Sequence, residues 1–397
     1  MTTAELEGLL RELAPQALAA VARRYGDFSD AEDAVQEALA TAAVEWQDAL
    51  PERPLGWLVT VASRRLVDEY RRNDARRRRE DLAASLSIHP DQPAPASDDS
   101  LLLLFLCCND ALSPALAVPL TLRAVAGLTT REIAAAYLVP VATMAQRISR
   151  AKAALRGRRV EMPADSRQRL RPVCEVLYVL FTEGYTSSSG PDLARVDLSG
   201  EAIRLARMLQ AAFPDEPEVA GLLALMLLTD ARRPARTAPD GALVPLAEQD
   251  RSLWDRRLVA EGMVLLNRTL ATGRIGEYQL LASVAALHDE APSAEETRWD
   301  QVAAVYARLE ALTGNPVVRL NRAVAVAMVE GPVAGLALLD GLELRDSHRL
   351  HAVRAHLHEQ AGDRSAAAEG YAAAAARTDN ARERDYLVAC AARVGGH

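Results

Sequence analysis

Residues 128–155, LTTREIAAAYLVPVATMAQRISRAKAAL, fit one arrangement: two short helices joined by a tight turn. Thr129 and Glu132 have the Thr-x-x-Glu spacing in which each side chain satisfies the other's orphan backbone amide at a helix start. Ile133, Ala134 and Tyr137 recur at the spacing of a buried helical stripe. Pro140 breaks that helix, because proline has no amide to donate and drives Val139 out of helical geometry. Met144, Ile148, Ala151 and Leu155 then form a second stripe. Six basic residues and no acidic one lie between Val141 and Val160. A short helix that offers Thr143, Gln146, Arg147 and Arg150 beside unneutralised cations suits the phosphate-lined major groove of DNA. The competing expectation is an ordinary surface helix pair with a basic face.

A chain of 397 residues is long enough for two or three domains with sizeable cores. Its net charge of -8 argues against a protein that coats nucleic acid indiscriminately, so the local basic segments carry the information. Lys152 is the only lysine, and arginine supplies nearly all the positive charge. Cys107, Cys108, Cys174 and Cys390 have neither CxxC nor zinc-finger spacing and are expected as packed thiols. No charged-then-apolar leader and no apolar run of membrane-spanning length is evident, so the expected location is cytoplasmic, with no membrane partner.

Long segments favour Ala, Leu, Arg and Glu, with few β-branched alternations, which predicts an all-α fold. Residues 83–99, AASLSIHPDQPAPASDD, carry three prolines and no apolar period and read as a flexible linker. A second break falls near EMPADS, residues 161–166. The expected domains are 1–82, 100–160 and 165–397.

In the first domain, DFSDAEDAVQEALATAAVEW (27–46) predicts a helix with Ser29 and Asp30 as caps and an acidic first turn. Ala34, Val35, Ala38, Leu39 and Ala42 supply its buried side. Asp33, Gln36 and Glu37 lie elsewhere, placed to meet a basic partner. After a proline-rich turn, WLVTVASRRLVDEYRRNDARRRRED holds eight arginines against three acids between Arg64 and Arg79. A charge run is usually a solvated face. This one extends an amphipathic helix and is followed, after a tether, by the basic helix-turn-helix.

DAEDAVQEAL, then PLGWLVTVASRRLVDEYRR, then the segment LSPALAVPLTLRAVAGLTTREIAAAYLVPVATMAQRISRAKAAL resemble regions 2 and 4 of extracytoplasmic-function (ECF) RNA polymerase sigma factors, of the sigma-70 superfamily. LLLLFLCCNDALSP, LYVLFTEGYTSSSG, LMLLTDARRPARTAPDGALVPLAEQDRSLWD and NPVVRLNRAVAVA resemble the ECF subgroup with a long C-terminal helical extension of tetratricopeptide-like repeats. The resemblance implies a non-enzymatic function: binding core RNA polymerase, recognising promoter DNA and initiating transcription, with no cofactor and no catalytic or metal-binding residues. It implies polymerase docking by Asp30, Glu32, Asp33, Gln36 and Glu37, where an acidic face favours oriented association with a basic one. The turn 47–54 resembles the loop that captures a flipped base of the −10 element. Arg64, Arg65, Arg71 and Arg72 resemble the face that holds promoter phosphates beside it. The helix-turn-helix resembles the reader of the −35 element. Arg64 stands where many ECF factors have Asn. Leu138, Val141 and Ala145 also depart from the pattern, which shifts the expected base contacts towards Gln146, Arg147 and Arg150.

Within 165–397, residues 316–343 and 349–377 each read as two helices around a turn, with Gly331 and Gly362 at equivalent breaks. A bundle packed on the sigma modules is the alternative. GYTSSSG, residues 184–190, lacks the Lys-Ser/Thr ending of a phosphate loop. Of His348, His351, His356 and His358, only His351 and His358 share a helix face closely, which is poor metal-ligand spacing. The long loop DARRPARTAPDGALVPLAEQDRSLWD, 230–255, offers Arg232, Arg233, Arg236, Asp240 and Trp254 for contact with the sigma modules. Packing on its own repeat through Trp254 is the other expectation. The extension is expected to regulate the factor, and a small regulatory protein or ligand is the partner expected there. Two other functions stay open: a helix-turn-helix regulator with a repeat sensor that is not a polymerase subunit, which leaves residues 27–82 unexplained, and an enzyme with its catalytic domain in 165–397, which no Ser-His-Asp, zinc or paired-carboxylate constellation supports.

Overall fold

The described backbone is almost wholly α-helical, as the abundance of strong helix formers dictates. A computed structural model describes the chain apart from residues 1–2, 48, 78–99, 110, 138, 157–165, 188, 191–192, 195, 343, 345–346 and 397. The expected linker 83–99 therefore lies outside the described residues. Two compact units result, Met1–Val179 and Leu180–His397.

The first unit opens with α1 (Thr3–Tyr25), α2 (Phe28–Glu45) and α3 (Pro54–Arg77), which pack pairwise. Gly26 turns the chain at φ 83°, and the extended Asp27 then caps α2. Its carboxylate accepts from the amides of Ser29 and Asp30 at 2.8 and 3.1 Å. The cap is thus Asp27 and not the expected Ser29 or Asp30, because the left-handed glycine starts the helix earlier. Val21, Phe28, Val35, Leu58 and Leu66 fill the core between these helices. Trp46 and Trp57, with ring centroids 5.4 Å apart, pin the two ends of the loop between α2 and α3.

The same unit continues with α4 (Ser100–Cys107), α5 (Pro114–Ala124), α6 (Thr130–Ala136), α7 (Val141–Leu155) and the start of α8 (Leu170–Tyr185). The capping box forms as expected: the Thr129 amide donates to Glu132 Oε2 at 2.7 Å, and the Glu132 amide donates to Thr129 Oγ1 at 3.2 Å. Pro140 is the N-cap of α7. Cys107, Cys108 and Cys174 are buried free thiols, and burial pushes the Cys107 thiol up to about 12, so it behaves as an inert packing group. The two halves of this unit touch where α1 packs on α4 and α5, and where α2 packs on α7.

In the second unit, α9 (Val196–Ala212) and α10 (Pro217–Asp230) precede α11 (Arg256–Leu270) and α12 (Glu277–Glu290). Buried nearly all round, α10 is the helix on which α9, α11 and α12 pack. Next come α13 (Trp299–Thr313), α14 (Pro316–Glu330) and α15 (Pro332–Leu339). The unit ends with α16 (His348–Gln360), α17 (Arg364–Ala375) and α18 (Ala381–Gly395), each packed on the one before. The two expected hairpins are α14–α15, turning at Gly331 with φ 93°, and α16–α17, turning at Gly362 with φ 82°. Two two-residue strands, β1 (Ser189–Gly190) and β2 (Asp379–Asn380), pair in parallel and tie the beginning of the unit to its end. Asn380 Nδ2 reinforces the tie by donating to the Ser187 carbonyl at 2.9 Å. Among the described residues no helix is long and apolar enough to cross a membrane.

Candidate nucleic-acid interface

The sequence of α7 divides it into three stripes at helical spacing. Met144, Ile148, Ala151 and Leu155 are buried and attach the helix to its module. Ala145, Ser149, Lys152 and Arg156 line a cleft shared with α2. The third stripe, Thr143, Gln146, Arg147 and Arg150, stands apart from both, with Gln146 and Arg150 exposed and Thr143 and Arg147 half-buried. A helix held by one stripe can present another to a groove. Here the presented stripe holds an amide and two guanidiniums, the groups that read adenine and guanine edges.

The cleft between α2 and α7 has a volume of about 750 Å³, and all five residues expected to dock on polymerase line it. Asp33 and Glu37 are exposed, Asp30 and Gln36 half-buried, and Glu32 is buried. Glu32 accepts from Arg123 Nε at 3.0 Å through Oε1 and from Lys152 Nζ through Oε2. Lys152 also reaches Asp33 Oδ1 at 3.0 Å. Burial alone would lower the Lys152 ammonium, but Glu32 and Asp33 outweigh it and hold the group above the ordinary lysine value. Arg123 and Lys152 were not singled out by motif, although a sole lysine inside an otherwise arginine-bearing helix was a usable signal.

On α3, Arg64 and Arg71 are exposed, and Arg72 lies outside the residues whose side chains are described. Arg65, also expected in the phosphate-holding set, is half-buried. It donates to Glu37, and at 2.8 Å to Thr41 Oγ1, so its guanidinium is held against α2. In the loop 47–54 expected to capture a base, residue 48 lies outside the described residues.

Three of the four arginines in the loop 230–255, Arg232, Arg236 and Arg251, donate to backbone carbonyls of neighbouring helices. Arg236 donates to the Tyr185 carbonyl at the end of α8 and to Thr186 Oγ1 at 2.5 Å, with its guanidinium 4.1 Å from the Tyr185 ring centroid. Arg251 donates to the carbonyls of His288 and Ala291 at the end of α12, at 2.5 and 2.6 Å. Cationic donors at these positions satisfy orphan carbonyls and complement the helix dipole. Arg232 donates to Asp289 Oδ1 and to the Ala285 carbonyl, both at 2.6 Å. Trp254 is buried between the guanidiniums of Arg232 and Arg251. Arg233 pairs with Asp230 at 3.2 Å, whereas Asp240 is exposed. Of the expected interdomain set, Arg232, Arg233, Arg236 and Trp254 are thus committed within their own unit. The geometry is that of the other expectation, a loop packed on its own repeat through Trp254.

Among the described residues no group of His, Cys, Asp and Glu is placed to hold a metal. His348 instead faces Glu383 at 3.4 Å and His358 faces Asp363 at 3.6 Å. In GYTSSSG, Ser187 is buried and contributes its carbonyl to the tie with Asn380.

Models of sigma-70 region 2 and of sigma-70 region 4 match residues 9–76 and 102–155, in that order. The chain belongs to the sigma-70 family, as an ECF-type factor with a C-terminal extension. A family of unknown function (DUF6596) matches residues 169–270 of that extension. An uncharacterized protein of Rhizobium meliloti (strain 1021) is 39% identical over 388 residues, which cover 94% of this chain and 92% of the relative. No solved structure matches the chain. In a sigma factor, region 2 and region 4 serve transcription initiation by binding core RNA polymerase and promoter DNA.

Proposed function

We propose that this sigma factor docks on core polymerase through the acidic face of α2, grips the −10 region with α3 and reads the −35 element with the exposed stripe of α7. The observation that carries the reading is the segregation of α7 into a buried stripe, an α2-facing stripe and a presented stripe of Thr143, Gln146, Arg147 and Arg150. The docking set is Asp30, Glu32, Asp33, Gln36 and Glu37, all on one cleft wall. Arg64, Arg71 and Arg72 are assigned to promoter phosphates, with Arg65 joining them once it is released from Glu37. The C-terminal unit is assigned a regulatory role. The relative's alignment runs through sigma modules and extension alike, so the two occur together in a second chain.

In vitro transcription with core polymerase tests the reading. Gln146→Ala is expected to cost about 1–3 kcal/mol of −35 recognition at promoters carrying its cognate base and little at others. Arg71→Ala is expected to weaken all promoters alike and to reduce the steepness of the salt dependence. An equal loss from Gln146→Ala on every −35 variant would assign that residue to positioning instead of base reading. Absence of start-site-specific transcription would overturn the whole assignment.

A further inference from the structure

We propose that the first unit is an autoinhibited clasp: region 4 closes over the polymerase-docking face of region 2 through Glu32, so the factor must open to bind core polymerase. The inference rests on the assignment of α2 as the docking helix. Glu32 is 2% exposed, yet it is a carboxylate on a helix whose neighbouring residues Asp33 and Glu37 are exposed. Its burial is created by the other module. Arg123 comes from α5 and Lys152 from α7, and their side chains are only 18% and 16% exposed. A carboxylate is removed from water only when cations and hydrogen-bond donors replace the water, and here both its oxygens are answered across the module boundary. A second ion pair, Arg11 to Glu132 at 2.8 Å, crosses the same boundary.

Lys152 and Arg123 therefore occupy the place that basic groups of a polymerase surface would take on an acidic docking helix. Both sets of cations cannot sit on Glu32 at once, so closing and docking exclude each other. The presented stripe of α7 lies on a different side of that helix from Lys152, so the clasp buries Glu32 at the centre of the polymerase face while leaving the DNA-reading face open. Apparent polymerase affinity is then the intrinsic affinity reduced by the fraction of open chains.

Lys152 is the only lysine of the chain, which makes the clasp addressable in the full-length protein. A carbodiimide condenses an amine with a carboxylate in contact with it. In the free factor it is expected to join Lys152 to Glu32 or Asp33, identified by mass spectrometry of the digest. Saturating core polymerase is expected to reduce that product about tenfold, and the purified cross-linked chain to bind polymerase at least about tenfold more weakly. Lys152→Ala strips one cation from a buried carboxylate and is expected to tighten DNA-free polymerase binding about tenfold. Lys152→Arg keeps the charge and is expected to bind as the native chain does. The clasp is overturned if the free chain yields no Lys152 cross-link. Occlusion is overturned if the cross-link persists undiminished on polymerase, or if Lys152→Ala binds no more tightly. A chain that cross-links yet never binds polymerase removes the docking assignment, and this inference with it, an outcome distinct from the others.

Discussion

Arg232 and Asp289 form an ion pair whose side chains are 9% and 0% exposed, with Trp254 against the guanidinium and His288 next along α12. Removing one member of such a pair leaves a buried charge without its partner. Arg232→Ala is therefore expected to destabilise the C-terminal unit by about 3–5 kcal/mol in urea unfolding of the full chain. It would affect transcription through folding, not through a lost surface contact. The neighbouring titrations oppose each other. Burial pushes the Asp289 carboxyl from 3.8 up to about 6 against the pull of Arg232, so the folded chain keeps a proton that the unfolded chain has lost. By linkage, that term makes stability fall as pH rises through this window. Burial, together with Arg232 and Arg251, holds His288 from 6.5 down to about 3, so there the unfolded chain binds the extra proton. That term makes stability rise with pH across its window. The two offset where the windows overlap, and each variant exposes one slope: between about pH 4 and 6, His288→Asn should lose stability as pH rises, and Asp289→Asn should gain it. Equal slopes in both variants would show that these groups do not set the pH response. The sequence picked out Arg232 and Trp254 as unusual, but a loop's composition does not say which helices it folds onto, so Asp289 and Ala285 were not legible as partners of Arg232.

At the scale of the element, glycines separate packing from propensity. Gly335 on α15 approaches α14 so closely that a Cβ would stand 2.7 Å from the Ala323 carbonyl oxygen and 2.8 Å from Ala327 Cβ. Gly200 on α9 is exposed and has nothing within 4 Å of its Cβ position. Alanine favours a helix interior by about 0.5–1 kcal/mol over glycine, so Gly200→Ala is expected to raise the melting temperature. At Gly335 the clash with backbone outweighs that gain, and a net loss of about 1–3 kcal/mol is expected from overpacking. Thermal melts of the two full-length variants check the opposite signs; a stabilised Gly335→Ala would mean that α14 and α15 can separate freely. Local patterns of this kind were legible in advance. Gly331 and Gly362 marked the two hairpins, the Thr129–Glu132 spacing marked the start of α6, and the apolar period of α7 named its buried stripe. The start of α2 was misread by a turn fraction, because Ser29 and Asp30 are common cap residues and nothing in their spacing reveals that Gly26 hands that position to Asp27.

At the scale of the whole molecule, the two sigma modules were readable because each is a local pattern. Their closed arrangement was not, since Glu32 and Lys152 are 120 residues apart and neither belongs to a recognisable motif with the other. The same holds for the tie between Ser187 and Asn380 across 193 residues. The clasp supplies a measurable intermediate between extension and transcription. If the extension regulates by shifting the balance of closed and open chains, deleting it must change that balance. A chain ending at Val179 is the appropriate comparison, because Val173, Cys174 and Leu177 are buried residues of the first compact unit and a chain ending at 164 would lose them. Relative to the full chain, the shortened one is expected to change start-site-specific transcription severalfold. The yield of the Lys152 cross-link in the free protein is expected to move in the opposite sense, because only open chains enter the polymerase complex. Transcription that changes while the cross-link yield stays constant would place the action of the extension on polymerase or DNA directly. If neither changes, the extension has no regulatory role in initiation.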